Sequence, residues 1–154
     1  MIAVERNRPV TGVMMLLAAV TTFFAAFTSA MVVRRGLSSD WLTTPLPSVL
    51  WANTALLIGS SVALFYRAMN WTKSLGLLFL AGQIEAWRQL MAAGIYLPTN
   101  PSSSFFYILS AAHFAHLVGG LVALQFANRQ AAALYWHFMT GLWIYVLLLF
   151  ALWG

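Results

Sequence analysis

Five long apolar runs, separated by short polar breaks, constrain this chain more than any other feature. They lie at about residues 11–33, 47–68, 75–97, 105–127 and 131–153. Each has roughly the 20 mostly apolar residues that a helix needs to cross the hydrocarbon core of a bilayer. Charged residues make up 7% of the sequence, against about 25% in a soluble domain, which is too few to cover a water-exposed surface. The runs predict an all-α integral membrane bundle of five transmembrane helices, folded as a single domain over residues 1–154.

The breaks between the runs contain the polar and helix-breaking residues. "LPTNPSSS" (97–104) has two prolines, which cannot continue a helix, and residues 128–130 form a short turn before the last run. The first run is longer than the 7–15-residue apolar region of a signal peptide, and Arg34-Arg35 follows it as a stop-transfer pair. We therefore expect the first run to be a retained helix.

The basic residues predict the orientation of the helices. One side of the predicted bundle carries Arg6, Arg8, Arg67, Lys73 and Arg129, and the other carries Arg34 and Arg35. Cytoplasmic connections are enriched in Lys and Arg, so we expect a cytoplasmic N-terminus and a C-terminus outside. Because these cations are scattered and form no patch, the net charge of +5 does not indicate nucleic-acid binding.

Small residues recur every four positions in three of the runs. The sets are Ala18, Thr22, Ala26 and Ala30; Ala55, Gly59 and Ala63; and Ala111, Ala115, Gly119 and Ala123. Small side chains let transmembrane helices approach closely. We therefore expect these stripes to pack the helices together.

The third run contains the polar residues Glu85, Arg88 and Gln89. They are three and four residues apart, so they share one helix face. Charges inside a bilayer are costly and almost always face protein or water. The sequence favours an internal Glu85–Arg88 ion pair that fixes helix packing. The alternative is that Glu85 carries protons.

Three histidines lie in the last two runs, His113 and His116 in the fourth and His137 in the fifth. Counted from the turn between these runs, His116 and His137 differ in depth by about 7 Å at 1.5 Å per residue, so they are poorly placed to clamp a haem. No carboxylate or thiol accompanies them in their helices, and the chain has no Cys, which argues against a metal site. We expect neutral histidines that hydrogen-bond between helices or to lipid, in a chain with no catalytic residues of its own.

Four segments together resemble one protein family. They are "NTALLIGSSVAL" (53–64), "LGLLFLAGQIEAWRQLMAAGI" (75–95), "FFYILSAAHFAHLVGGL" (105–121) and "YWHF" (135–138). In this order the chain resembles subunit III of the haem-copper cytochrome c oxidases. The predicted cytoplasmic N-terminus fits the five-helix form of that subunit.

The resemblance implies an accessory, non-catalytic subunit of an aerobic respiratory, proton-translocating terminal oxidase in the bacterial inner membrane. It implies partners in subunit I, which is catalytic, and in subunits II and IV, with haem and copper in those partners and none in this chain. It also implies bound phospholipid. Three acidic positions of the family are absent, since Val20, Ala86 and Thr140 occupy them and Glu85 lies one residue early. The resemblance therefore does not support a conserved carboxylate in proton handling, and proton transfer by Glu85 stays an open alternative.

The aromatic residues and cations of the second, third and fifth runs suggest a lipid site. Trp136 and His137 lie about two turns inside the predicted cytoplasmic end, where rings with a polar edge suit the headgroup boundary. The set that we expect to bind phospholipid is Trp51, Arg67, Lys73, Trp136 and His137. We expect the lipid to lie in a cleft between the first two spans and the last three. The other interpretation is that His137 only hydrogen-bonds between helices.

Three other functions are compatible with the same features. A subunit-III-like component of a nitric oxide reductase would have the same motifs. A small b-haem electron carrier would use His116 and His137 as ligands. A small transporter is disfavoured because the runs lack the Gly- and Pro-broken half-helices that often build transport sites.

Overall fold

A computed structural model describes the backbone of residues 2–37 and 39–153, and the side chains of residues 8–37 and 39–153. The side chain of Arg6 therefore lies outside the described part. Five helices follow one another: α1 (Ile2–Leu37), α2 (Val49–Phe65), α3 (Met69–Ala92), α4 (Pro101–Phe126) and α5 (Arg129–Trp153). No strand occurs within the described ranges. The predicted all-α class and the order of the five helices are confirmed.

Four of the helices form a ring. α2 packs against α3 and α5, and α4 closes the ring by packing against α3 and α5. α1 lies outside the ring against α4 and α5, and in the described residues it does not pack against α2. The cleft that we expected between the first two spans and the last three is therefore wrong, because α1 and α2 do not form a group.

Three helices are long and apolar enough to cross a membrane, namely Arg8–Leu37, Pro101–Phe126 and Arg129–Trp153. α2 is apolar but has only 17 residues, about 25 Å at 1.5 Å per residue. α3 has 24 residues, among them Lys73, Glu85 and Arg88. Length and composition thus support three of the five predicted spans, and the crossing by α2 and α3 stays a prediction.

Local hydrogen bonding fixes the helix ends around the break at residues 97–104. Gly94 has a φ of 79° just after α3, a conformation that glycine adopts without strain. Asn100 Oδ1 accepts a 3.0 Å bond from the Ser103 N–H, and Ser103 Oγ accepts a 3.1 Å bond from the Asn100 N–H. This capping box, with Pro101 in the first turn, starts α4 four residues before the apolar run.

Trp136 fills the centre of the ring. Its side chain is fully buried and lies against glycines on two neighbouring helices. A Cβ at Gly76 of α3 would lie 2.8 Å from Trp136 Cη2, and one at Gly120 of α4 would lie 3.1 Å from Trp136 Cε3. The indole therefore occupies space that any larger residue at Gly76 would need. Trp143 lies about two turns further along the same face of α5. It is also buried, and its ring meets the Phe79 ring edge-on.

The small-residue stripes of α1 and α4 do not pack as predicted. Ala18, Thr22, Ala26 and Ala30 are all exposed, as are Ala111, Ala115 and Gly119. The stripe of α2 packs in part, since Gly59 and Ala63 are half-buried and a Cβ at Gly59 would lie 3.5 Å from Leu75 Cδ1 of α3. α1 instead buries its larger apolar residues Leu17, Val20, Phe24 and Met31. The spacing of the small residues was read correctly as a face, but it is the opposite face of α1 that meets the ring.

Candidate functional site

A basic cavity opens at the end of the bundle where α2 ends and α5 begins. Its volume is about 370 Å³, and it is lined by Leu64, Phe65, Arg67, Arg129, Gln130, Ala133 and His137. Two guanidinium groups and an imidazole therefore share a cavity whose remaining wall is mostly apolar. This combination suits an anionic headgroup attached to an acyl chain.

The α2–α3 turn places Arg67 in this cavity. The Ala68 N–H donates to the Ala63 carbonyl at 2.8 Å and the Arg67 N–H to the Leu64 carbonyl at 3.0 Å. These are the two bonds of a Schellman C-cap, in which the left-handed residue is usually glycine. Arg67 occupies that position with a φ of 61°. A strained arginine at the mouth of a basic cavity is typical of a functional residue.

His137 connects α5 to α2 at the inner end of the cavity. Its Nδ1 forms a hydrogen bond with Ser61 Oγ, and the ring stays exposed on its other side. The predicted partnership of His137 with Arg67 is thus present in the geometry, since both line one cavity. From the sequence, Arg129 indicated only the orientation of the helices. Arg129 is the first residue of α5 and follows a short turn, and this position is the signal in the sequence that places it at this end of the bundle.

Trp136 does not belong to the cavity, although we expected it there. It is fully buried, and its Nε1–H donates to Ser60 Oγ at 3.2 Å while the Ser60 hydroxyl donates to the Thr72 carbonyl at 2.7 Å. The physical reason is the pair of glycines that face it, Gly76 and Gly120, which leave an indole-sized space inside the ring.

Lys73 and Trp51 also lie outside the cavity. Lys73 Nζ donates to Gln125 Oε1 at 2.5 Å, which joins α3 to α4 on another side of the ring. Trp51 is in the first turn of α2, about 24 Å from Arg67 along the helix axis. It is therefore at the opposite end of the bundle and cannot contact the same headgroup.

His113 and His116 are placed by backbone carbonyls. His113 is fully buried, and its Nε2 lies 2.9 Å from the Met139 carbonyl oxygen of α5. His116 Nδ1 lies 2.6 Å from the Ala112 carbonyl oxygen of its own helix. The Tyr135 hydroxyl donates to the His116 carbonyl at 2.7 Å. His113 thus joins α4 to α5 through its ring, whereas His116 does so only through its main chain.

Glu85, Arg88 and Gln89 form the expected cluster on one face of α3. Arg88 Nε donates to Glu85 Oε2 at 2.8 Å, Arg88 Nη2 to Glu85 Oε1 at 2.7 Å, and Gln89 Nε2 to Glu85 Oε1 at 3.0 Å. The expectation that this pair is internal is wrong for the chain by itself. The Arg88 side chain is 69% exposed and that of Glu85 37%, because the buried face of α3 is the opposite one, with Gly76, Phe79 and Gln83.

Curated relatives are named as subunit 3 of a cytochrome c oxidase or of a quinol oxidase. The chain is 28% identical over 175 residues to "Cytochrome c oxidase subunit 3" of Synechocystis sp., which covers 90% of this chain and 72% of the relative. It is 34% identical over 85 residues to "Probable cytochrome c oxidase subunit 3" of Mycobacterium tuberculosis. It is 30% identical over 129 residues to "Probable quinol oxidase subunit 3" of Staphylococcus saprophyticus, 66% of this chain and 64% of the relative.

The extent of these similarities differs between relatives. The match to the mycobacterial proteins spans 46% of this chain and 42% of their length, and no family model matches the chain. The similarity to a Nocardia farcinica protein of the same name, at 28% identity, covers 90% of the chain and 86% of the relative. Relatives named as subunit 3 of cytochrome c oxidases therefore match 90% of this chain, in agreement with the resemblance carried by the motifs of the sequence.

Proposed function

We propose that this chain is an accessory, non-catalytic subunit III of an aerobic respiratory cytochrome c oxidase, in contact with the catalytic subunit I and with subunits II and IV. The observation that carries the proposal is similarity to subunit 3 proteins across 90% of the chain. The test is purification of the tagged chain from native membranes in mild detergent. Mass spectrometry should find the catalytic subunit, and a visible spectrum should show its haems. Purification of the chain without any oxidase subunit would contradict the proposal.

Cytochrome c and quinol are both candidate electron donors, since one relative is named as a quinol oxidase subunit. We favour cytochrome c because the other named relatives are cytochrome c oxidase subunits. Turnover of the purified complex with each donor in turn separates the two. Turnover with nitric oxide in place of oxygen would instead support the reductase alternative.

Haem and copper belong, in this proposal, to the partner subunits. What supports this is the difference in depth of about 7 Å between His116 and His137, at 1.5 Å per residue along their helices. The purified single chain should show no Soret band. A Soret band of one haem per chain would support the b-haem carrier with His116 and His137 as ligands.

All five helices cross the bacterial inner membrane in this proposal, with the N-terminus in the cytoplasm and the C-terminus outside. Arg67, Lys73 and Arg129 then lie at the cytoplasmic end, as cytoplasmic connections require. Because the chain has no Cys, single cysteines can be introduced without background. A membrane-impermeant thiol reagent applied to intact spheroplasts should label Pro98→Cys but not Asn128→Cys. The reverse pattern would invert the orientation.

The basic cavity binds a phospholipid in this proposal. Arg67, Arg129 and His137 face the phosphate, while Leu64 and Phe65 line the path of an acyl chain. Each cation near an anionic headgroup contributes about 1 kcal/mol, so no single change should abolish binding. Native mass spectrometry of the assembled oxidase should show less retained phospholipid in the Arg67→Ala/His137→Ala double variant.

Lys73→Ala is the matched control for the lipid site, because Lys73 lies at the same end of the bundle but bonds to Gln125 outside the cavity. It should retain the lipid of the unsubstituted complex. If the double variant retains as many phospholipids and the same turnover lifetime as the unsubstituted complex, the lipid proposal fails. His137 would then act only as a hydrogen-bonding link to α2.

A further inference from the structure

The Glu85–Arg88 pair lies on the outer surface of α3 at a depth where a membrane-spanning helix meets hydrocarbon. Glu85 is seven residues before α3 ends at Ala92, which is about 10 Å along the helix axis. The Arg88 side chain is 69% exposed and that of Glu85 37%, so the described structure leaves much of this surface uncovered. Given the membrane arrangement proposed above, a charged pair thus faces away from its own protein and into the bilayer.

The hydrogen bonds of this pair leave more of Arg88 unpaired than of Glu85. The Glu85 carboxylate accepts three bonds, two from Arg88 and one from Gln89. A guanidinium has five N–H donors, and Arg88 uses two of them in these bonds. Its side chain is 69% exposed, and hydrocarbon offers no acceptor for the other three donors.

The pair is part of a regular stripe on α3. Leu78, Ala81, Glu85, Arg88 and Ala92 are spaced by three, four, three and four residues. Leu78, Ala81, Arg88 and Ala92 are exposed, while Glu85 is partly exposed. We call these five residues the α3 seam. Spacing of this kind is the seam along which two helices pack at a shallow angle. Alanines at two of its positions permit close approach in a membrane.

We propose that the α3 seam docks a transmembrane helix of another oxidase subunit, one that presents hydrogen-bond acceptors to Arg88 from a carboxylate, amide or hydroxyl oxygen. The inference rests on the proposed function for the identity of the assembly. Complementarity of hydrogen bonding selects the partner, because three N–H donors of Arg88 are left over, whereas the Glu85 carboxylate already accepts three bonds. A second copy of this chain fits poorly, since a two-fold axis along the membrane normal would place Arg88 opposite Arg88.

Photo-crosslinking in the intact complex tests the seam directly. A photoreactive amino acid replaces Ala81 in the full chain, and the oxidase is irradiated in native membranes before purification. We expect an adduct whose crosslinked peptide is a transmembrane segment of a different subunit that co-purifies with the oxidase. Ala115, an exposed alanine in the middle of α4, is the matched control and should give that adduct at a much lower yield.

The other outcomes of the crosslinking would contradict docking of another subunit at the α3 seam. An adduct between two differently tagged copies of this chain would make the seam a self-contact. Adducts only with lipid, or equal yields from Ala81 and Ala115, would show that no partner helix lies there. If no oxidase subunit accompanies even the unsubstituted chain, the proposed function fails instead, so the two failures are distinguishable.

A substitution adds a second measurement. Arg88→Leu should reduce the amount of partner subunit recovered per copy of this chain by about tenfold, the size of effect expected when one member of a charge-assisted contact is removed. Arg88→Lys, which keeps the charge and donors, should recover most of it. Arg34→Leu removes an arginine of another ion pair, which bonds to Asp40 in the connection after α1, and should leave recovery unchanged. Unchanged recovery in Arg88→Leu would contradict the proposal, and the Ala81 crosslink decides the case if Arg88→Leu does not accumulate.

Discussion

Gly76→Ala tests whether the centre of the ring is packed as tightly as the geometry indicates. The added Cβ would lie 2.8 Å from Trp136 Cη2, 2.9 Å from Trp136 Cζ2 and 3.2 Å from Leu121 Cδ2. Contacts below about 3 Å cannot persist, so either the indole or α3 has to move. The indole is rigid, fully buried and hydrogen-bonded to Ser60, which makes its movement costly. Overpacking of this kind typically destabilises by about 1–3 kcal/mol.

Replacing a helical glycine by alanine also has an intrinsic benefit, which must be subtracted. In a helix interior it is worth up to about 1 kcal/mol. Gly119→Ala is the matched control, because a Cβ at Gly119 would meet no atom within 4 Å. We expect Gly119→Ala to raise the free energy of unfolding slightly and Gly76→Ala to lower it. The difference between the two variants should be about 1–3 kcal/mol, the overpacking effect alone.

The assay is unfolding of the purified chain in mixed micelles by titration with a denaturing detergent, followed by far-ultraviolet circular dichroism. Tryptophan fluorescence reports in parallel on the burial of the indoles. Effects at independent sites usually add within about 0.5 kcal/mol. If the unfolding free energies of the two variants differ by less than that, Gly76→Ala causes no overpacking beyond the intrinsic effect of alanine. The close contact between Gly76 and Trp136 would then be refuted.

Three further substitutions test other contacts. Ser60→Ala removes the buried acceptor of the Trp136 indole N–H and should lower the unfolding free energy by about 1–3 kcal/mol; an unchanged value in the same titration would contradict that bond. Arg67→Gly should raise the unfolding free energy by about 1 kcal/mol, because it relieves left-handed backbone strain, while it reduces phospholipid retention in native mass spectrometry; a lower unfolding free energy would contradict the assignment of the turn. Asn100→Ala removes the capping box of α4 at a cost of about 1 kcal/mol, and amide hydrogen exchange of residues 102–104 should become faster; unchanged exchange would show that Pro101 alone fixes this end.

The apolar runs predict the number and order of the helices because their physical cause lies in the chain itself. A run of about 20 apolar residues has few alternatives to a helix that can satisfy its backbone in an apolar environment. The apolar runs do not predict where each helix begins and ends. The start of α4 depends on the reciprocal hydrogen bonds between Asn100 and Ser103, and from the sequence these residues were predicted only to interrupt the helices. The spacing Asn-x-x-Ser contained the signal.

The candidate site was predicted in part, since Arg67 and His137 share one cavity and Trp136 does not. Aromatic residues with a polar edge suit both a headgroup boundary and a core with a hydrogen-bond partner. Which of the two applies to Trp136 depends on Gly76 and Gly120, on α3 and α4. These glycines are distant in sequence, and they come together around Trp136 only because α3 and α4 pack against each other in the ring. A sequence without known contacts does not predict this packing.

For Glu85 and Arg88 the sequence predicts the ion pair but not its environment. Their spacing on one helix predicts the ion pair, which the structure shows with two bonds of 2.7 and 2.8 Å. Their environment depends on how α3 is rotated, and that rotation follows from the larger residues Phe79 and Leu90, which α3 buries on its other side. A helix can bury only one face in its own bundle. Polar residues that remain on the outward face of a membrane helix then need a partner outside the chain, and this need connects the local pair to assembly with another subunit.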